Sequence, residues 1–187
     1  MDSYDYMTYE EFGKRFFEVA VTEERVADAF GAIAGDQFEM GPMRQGPGGL
    51  AKVIAKVTIA QPKAYRIMGE TITFDVRIPL AIDMTIDLRL DKPRFNVAGE
   101  IQLRAEARAA DPLLIIIDVV KPRASDISVD VESTSLRGEL LRVVAGVDAE
   151  IKRFIAKYVR DEIDSPASKK AQVIDVAKQV DESWSGP

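Results

Sequence analysis

Residues 72–90 read ITFDVRIPLAIDMTIDLRL, and their apolar side chains fall at every second position. A period of two marks a β-strand with one dry face and one wet face. Ile72, Phe74, Val76 and Ile78 oppose Thr71, Thr73, Asp75 and Arg77. Pro79 reads as a break, because proline cannot donate to a strand ladder. Leu80, Ile82, Met84, Ile86, Leu88 and Leu90 then alternate with Ala81, Asp83, Thr85, Asp87 and Arg89.

The same period extends in both directions. Upstream, Val53, Ala55, Val57 and Ile59 alternate with Lys52, Ile54, Lys56 and Thr58, and Pro62 closes that strand. Downstream, Asp91-Lys92-Pro93 predicts a turn into Phe95, Val97, Gly99, Ile101, Leu103, Ala105 and Ala107. After Asp111-Pro112, Leu113, Ile115, Ile117 and Val119 predict a more apolar strand, and Ile127, Val129 and Val131 the last one. The thirteen residues 95–107 would reach roughly 43 Å, far beyond the usual five or six residues, so such strands must bend. Gly99 is the expected kink or bulge. Strict alternation with short connections predicts an antiparallel meander.

Helical signals flank the strands. Thr8 with Glu11 three residues on forms a capping box ahead of Phe12, and Gly13 is expected to end that helix. Phe17, Val19 and Val21 alternate with Phe16, Glu18 and Ala20; Phe12, Phe16 and Val19 also fit helical spacing, and strand is the reading adopted. Thr22 followed by Glu23 and Glu24 starts a helix that buries Val26, Phe30 and Ile33 and stops at Gly35. Residues 41–49, with four Gly and two Pro, read as loop. That loop lacks the Gly-Lys-Ser/Thr ending of a phosphate cradle.

Residues 138–164 carry the strongest helical pattern, with Leu140, Val144, Val147, Ile151, Phe154, Ile155, Tyr158 and Val159 at three-four spacing. Its length, roughly 40 Å, matches the longest strand. Ser165-Pro166 interrupts, and residues 168–184 read as a second helix that Trp184 anchors.

The order predicts an α+β fold: a long, highly curved antiparallel sheet of about six to seven strands wrapped around a long C-terminal amphipathic helix. Residues 1–164 read as one domain and 165–187 as a C-terminal helical extension. From about Phe16 to Ile163, the long alternating strands, the Asp111-Pro112-Leu113-Leu114 lead into an apolar strand and the closing helix resemble the tubular lipid-binding (TULIP) superfamily. That superfamily includes the synaptotagmin-like mitochondrial-lipid-binding domains and the bactericidal/permeability-increasing proteins. The strand-then-helix opening of residues 17–34 is also similar to the helix-grip fold of START-like proteins, although residues 35–49 read as loop where that fold continues in helix.

Both resemblances imply a cavity for an apolar ligand. Ile72, Phe74, Val76, Ile82, Met84, Ile86, Leu88, Phe95, Val97, Ile101, Leu103, Ile151, Phe154, Ile155 and Tyr158 are the expected ligand-facing residues, with plain core as the competing reading. Met84, with Met68 near it in sequence, supplies adaptable packing. Each buried methylene contributes about 0.8 kcal/mol, so a lipid chain needs no polar anchor.

Composition narrows the function classes. The 187 residues hold no His and no Cys, and 25 Lys+Arg against 31 Asp+Glu leave a net charge of −6. The first fact removes Ser-His-Asp and Cys-His nucleophiles and the usual zinc centres. The second argues against a nucleic-acid platform, which needs concentrated cations. Asp75, Asp83, Asp87, Glu100 and Glu106 share the wet face with Arg77, Arg89, Arg104 and Arg108, so cross-strand ion pairs are expected rather than a metal site. No secretory leader or membrane-spanning run is read, and Tyr4, Tyr6 and Tyr9 sit in an acidic N-terminal tail. The expectation is a cytoplasmic, non-catalytic binder of lipid or another apolar small molecule, without cofactor or metal, whose membrane contact, if any, is transient. The alternative is an interaction scaffold that buries the same faces against a second copy or a partner.

Overall fold

The computed structural model describes residues 4–67, 69–130 and 138–184, with side chains from 142 onward in the last segment. Met68, Val131 and the side chain of Leu140 lie outside the described residues. The chain runs α1 (Tyr9–Ala20), α2 (Glu23–Ala29), β1 (Gln37–Gln45), β2 (Ala51–Ile59), β3 (Lys63–Ile67), β4 (Ile72–Asp87), β5 (Arg94–Ala110), β6 (Leu114–Val119), β7 (Ile127–Asp130), α3 (Gly138–Ile163), α4 (Pro166–Ala171), β8 (Val173–Asp175) and α5 (Val176–Trp184). The strands form one strongly curled antiparallel sheet, a half-barrel. The fold is α+β, with a long C-terminal helix.

Two strands of 16 and 17 residues, β4 and β5, form the spine. Each is too long for one neighbour, so β4 pairs with β3 along 73–77 and with β2 along 80–87. β5 likewise pairs with β7 along 98–101 and with β6 along 105–110. Pro79 does not break β4. It falls where the neighbour changes from β3 to β2, and its carbonyl accepts from the Ala60 amide at 2.9 Å. A strand residue directs both backbone groups to one side, so the missing N–H points into that changeover and interrupts no ladder. The β4–β5 register therefore runs unbroken from Ile72↔Ala107 to Thr85↔Arg94.

Gly99 is not a bulge either: it pairs with Leu80 on one side and Val129 on the other. A Cβ there would stand 2.8 Å from the Ser128 carbonyl oxygen, so glycine permits the close approach of β7. The alternation also ends earlier than expected at two points. Leu88 and Leu90 lie in the β4–β5 turn, and Leu113 lies before β6 and is exposed.

The region expected as loop contains β1. Its ladder with β2 slips between Met40↔Ala55 and Met43↔Val53, so Gly41 and Pro42 carry one extra residue. That insertion reverses the parity. Met40 and Met43, three apart, both face the core, which is why a search for period two misses this strand.

Two further expectations are corrected. Residues 17–20 are helical: the Thr8–Glu11 capping box starts α1, with the Glu11 amide donating to Thr8 Oγ1 at 3.2 Å and the Thr8 amide to Glu11 Oε2 at 2.9 Å. Helix then runs through Gly13, following the Phe12, Phe16, Val19 spacing. The START-like strand-helix opening is thus a helix-helix opening here. At the other end, residues 165–184 are not purely helical, because β8 joins the sheet beside β6, and Trp184, 88% exposed, anchors nothing among the described residues.

Candidate functional site

The concave face is built by parity. Odd positions of β2, β5 and β6 and even positions of β4 turn inward, and α3 adds Val144, Val147, Ile151, Ile155, Ala156, Val159 and Ile163. The helix contacts β1 and β2 on one flank and β7 on the other. Arg142, Arg153, Lys157 and Asp161 of α3 are exposed. No polar or charged residue is buried among the described residues.

Most of the expected ligand-facing residues converge in this interior. Phe74, Val76, Ile82, Met84, Ile86, Val97, Ile101, Leu103, Ile151 and Ile155 are all buried. Phe74, Val76, Ile86, Ile101, Ile151 and Ile155 are 0% exposed. Here the side chains of sheet and helix meet one another. Ile72 is half-buried against the core. Phe95, also half-buried, lines an open hollow with Glu39, Lys56, Asp83 and Arg94. Leu88 is exposed in a turn and Phe154 is 41% exposed, so neither belongs to the interior.

Phe154 and Tyr158 instead clamp β1 from outside. Phe38 stacks on Tyr158 with ring centroids 4.6 Å apart and lies 5.4 Å from Phe154. Tyr158 Oη donates to Asp36 Oδ2 at 2.7 Å. Burial, and then the Asp36 hydrogen bond and charge, push the Tyr158 phenol up from 10.0 to about 12. The neutral phenol is therefore favoured in the folded chain. Its stabilising contribution is complete below pH 10, declines as the pH rises further, and is lost beyond about pH 12. Urea midpoints measured between pH 9 and 12 should fall more steeply for the wild type than for Tyr158→Phe. Parallel curves would remove this role.

A cleft reaches the surface beyond these residues, at the C-terminal end of α3. Ala29, Phe30, Ala32 and Ile33 form one wall; Ile117 and Val119 of β6 form another. Val159, Glu162 and Ile163 of α3, with Ser168 and Gln172 around α4, complete it. The cleft is narrow, with room for about one water between its walls. This site is not legible in the sequence: Phe30 and Ile33 read as a helix stripe, Ile117 and Val119 as a strand, and nothing local joins them.

Comparison with protein-family models finds no match, and comparison with curated proteins finds none either.

The wet face carries ion pairs and hydrogen bonds. Arg77 Nε pairs with Asp75 at 3.0 Å and Arg108 Nη2 with Glu106 at 3.2 Å, both two residues apart along one strand, where cross-strand partners were expected. Asp75 also accepts from Gln102 Nε2 at 3.1 Å. No group of three or more acidic residues positioned to hold a metal occurs among the described residues. A tie the sequence did not reveal joins the N-terminal helices to β3. The Arg66 amide donates to Glu23 Oε1 at 2.7 Å, while its guanidinium donates to the Glu18 and Val21 carbonyls and lies over the Phe74 ring.

Proposed function

We propose that the chain binds a lipid or another apolar small molecule between its curled sheet, wrapped around α3, and the apolar stripe of that amphipathic helix, with the cleft at the end of α3 as the way in. One observation carries this reading. The interior is a single apolar cluster without a buried polar side chain among the described residues, and Phe30, Ile33, Ile117, Val119, Val159 and Ile163 belong both to it and to the cleft wall. A ligand entering there passes Glu162, Ser168 and Gln172 at the cleft wall and then meets hydrocarbon, and its own burial drives binding.

The closed cleft must widen for such a ligand. Ser168 and Gln172 border it around α4, neither α4 nor α5 buries a residue, and elements with few buried contacts open first. The reading is non-catalytic carriage, which the absence of His and Cys supports, and it is the role that the TULIP resemblance implies.

Native mass spectrometry of the freshly purified full chain, followed by titration with a fluorescent fatty-acid analogue, tests it. A lipid-sized adduct or saturable binding is expected. Ser168→Trp, a change at a half-buried position on the cleft wall, should weaken binding by about tenfold while circular dichroism stays unchanged. A bare monomer without saturable binding excludes carriage. A ligand-free dimer supports the second reading, an interaction scaffold, which α1 favours: it buries no residue and leaves Phe12 58% and Val19 73% exposed.

A further inference from the structure

We infer that the end of the half-barrel formed by the β1–β2 and β4–β5 hairpin tips is a docking surface for an anionic lipid bilayer. The tips are neighbours: Arg44 pairs with Lys52 across β1–β2, and Lys52 with Asp87 across β2–β4. Arg44, Gly48, Gly49, Leu50, Lys52, Asp87, Arg89 and Lys92 border one shared hollow.

Two features define the surface. The first is apolar tips held out in solvent: Leu50 is 54% exposed beside Gly46-Pro47-Gly48-Gly49, and Leu90 is 102% exposed at the next tip. Leu90 does not extend by default. Arg89 is the one non-glycine residue with a positive φ (71°) among the described residues, and its amide donates to Asp87 Oδ1 at 3.0 Å, with the Leu88 amide on the Asp91 carbonyl at 2.9 Å. A side chain in that conformation is uncommon and costs stability.

The second feature is charge. Arg44, Lys52, Arg89 and Lys92 line that shared hollow with Asp87, a net charge of +3 among its lining residues in a chain of −6. Asp87 is taken up by Lys92 at 3.1 Å and by the Arg89 amide. Among the described residues no carboxylate lies within 4.0 Å of the Arg44, Lys52 or Arg89 head groups. Protruding leucines beside an excess of cations fit a bilayer, where apolar tips enter the interface and cations meet anionic head groups. A nucleic acid would reward the cations but not the leucines. A folded protein partner would need a broad flat face, not two separate tips. No helix among the described residues is long and apolar enough to cross a membrane, so contact through these loops is peripheral. The inference stands whether or not the cleft holds a ligand.

Flotation of the full chain with phosphatidylcholine vesicles, with and without about one third phosphatidylglycerol, tests it. Each cation near an anionic surface is worth about 1 kcal/mol, about fivefold in partitioning. Partitioning onto anionic vesicles should exceed that onto neutral ones by tenfold or more and fall as salt shortens the screening length. Arg44→Glu with Arg89→Glu should abolish the preference. Leu50→Ser with Leu90→Ser, which leaves every charge in place, should reduce binding by about tenfold. All four positions are exposed, so unchanged thermal melts accompany these losses. Equal partitioning onto both vesicles, or full binding by the leucine double variant, overturns the inference. Heparin binding that the leucine variant retains, without vesicle binding, reassigns the patch to a soluble polyanion and overturns it as well.

Discussion

Ile151→Ala is expected to lower the thermal unfolding midpoint by about 10 °C. Ile151 is 0% exposed on α3 and packs in the same interior as Phe74, Ile86 and Ile101. Truncating a buried isoleucine costs about 2–5 kcal/mol, because its own burial is lost and the cavity left behind collapses only in part. For a chain of this size each kcal/mol shifts the midpoint by about 2–4 °C. Arg153→Ala is the matched control: that side chain is exposed on the same helix and its Nε donates only to the Ala149 carbonyl, at 3.0 Å, so a shift of about 1 °C is expected. The comparison is read by circular dichroism melts of both variants. Equal small shifts would show that α3 is not packed on the sheet. The new cavity in Ile151→Ala should also be dry and apolar, so benzene at saturation is expected to recover part of the lost midpoint.

Gly41→Ala is expected to cost about 3 kcal/mol and to loosen β1 in particular. Gly41 has φ +112°, outside what an alanine adopts comfortably, and its Cβ would stand 2.5 Å from the Val53 carbonyl oxygen and 3.1 Å from the Met43 amide nitrogen. Both obstacles are backbone, so relief requires opening the β1–β2 ladder around the extra residue. Amide hydrogen exchange in β1 should accelerate relative to β4 and β5. Gly49→Ala provides the contrast: φ is +66°, and the nearest atom is a side-chain carbon of Arg44 at 3.5 Å, so a cost of about 1 kcal/mol is expected. If the two variants melt together, β1 does not carry the described bulge.

Legibility in the sequence followed the kind of constraint at each residue. Alternation through Ile82, Met84 and Ile86 names the buried face because every turn of the backbone by one residue reverses the side chain, a rule that needs no partner. The Thr8–Glu11 capping box and the long apolar stripe of α3 are local in the same way. Where a position answers to a distant strand, local rules mislead. Pro79 reads as a break until β2 and β3 are seen to exchange places beside it, and Gly99 reads as a kink until β7 is seen against it. Gly41 and Pro42 read as loop until the bulge brings Met40 and Met43 to the same side. Leu88 and Phe154 continue their elements' patterns, yet the hairpin tip and the outer clamp on β1 carry them away from the interior.

The amino-acid order by itself determined the dry face of most strands, that these strands pair antiparallel, and that a long helix follows them. Only the tertiary structure decided how closely those dry faces approach. Periodicity specifies direction, whereas separation depends on the summed volumes of side chains far apart in the chain. That is why ten of the residues expected to face a ligand converge in the interior, while the cleft at the end of α3 lies among residues that no stretch of sequence brings together.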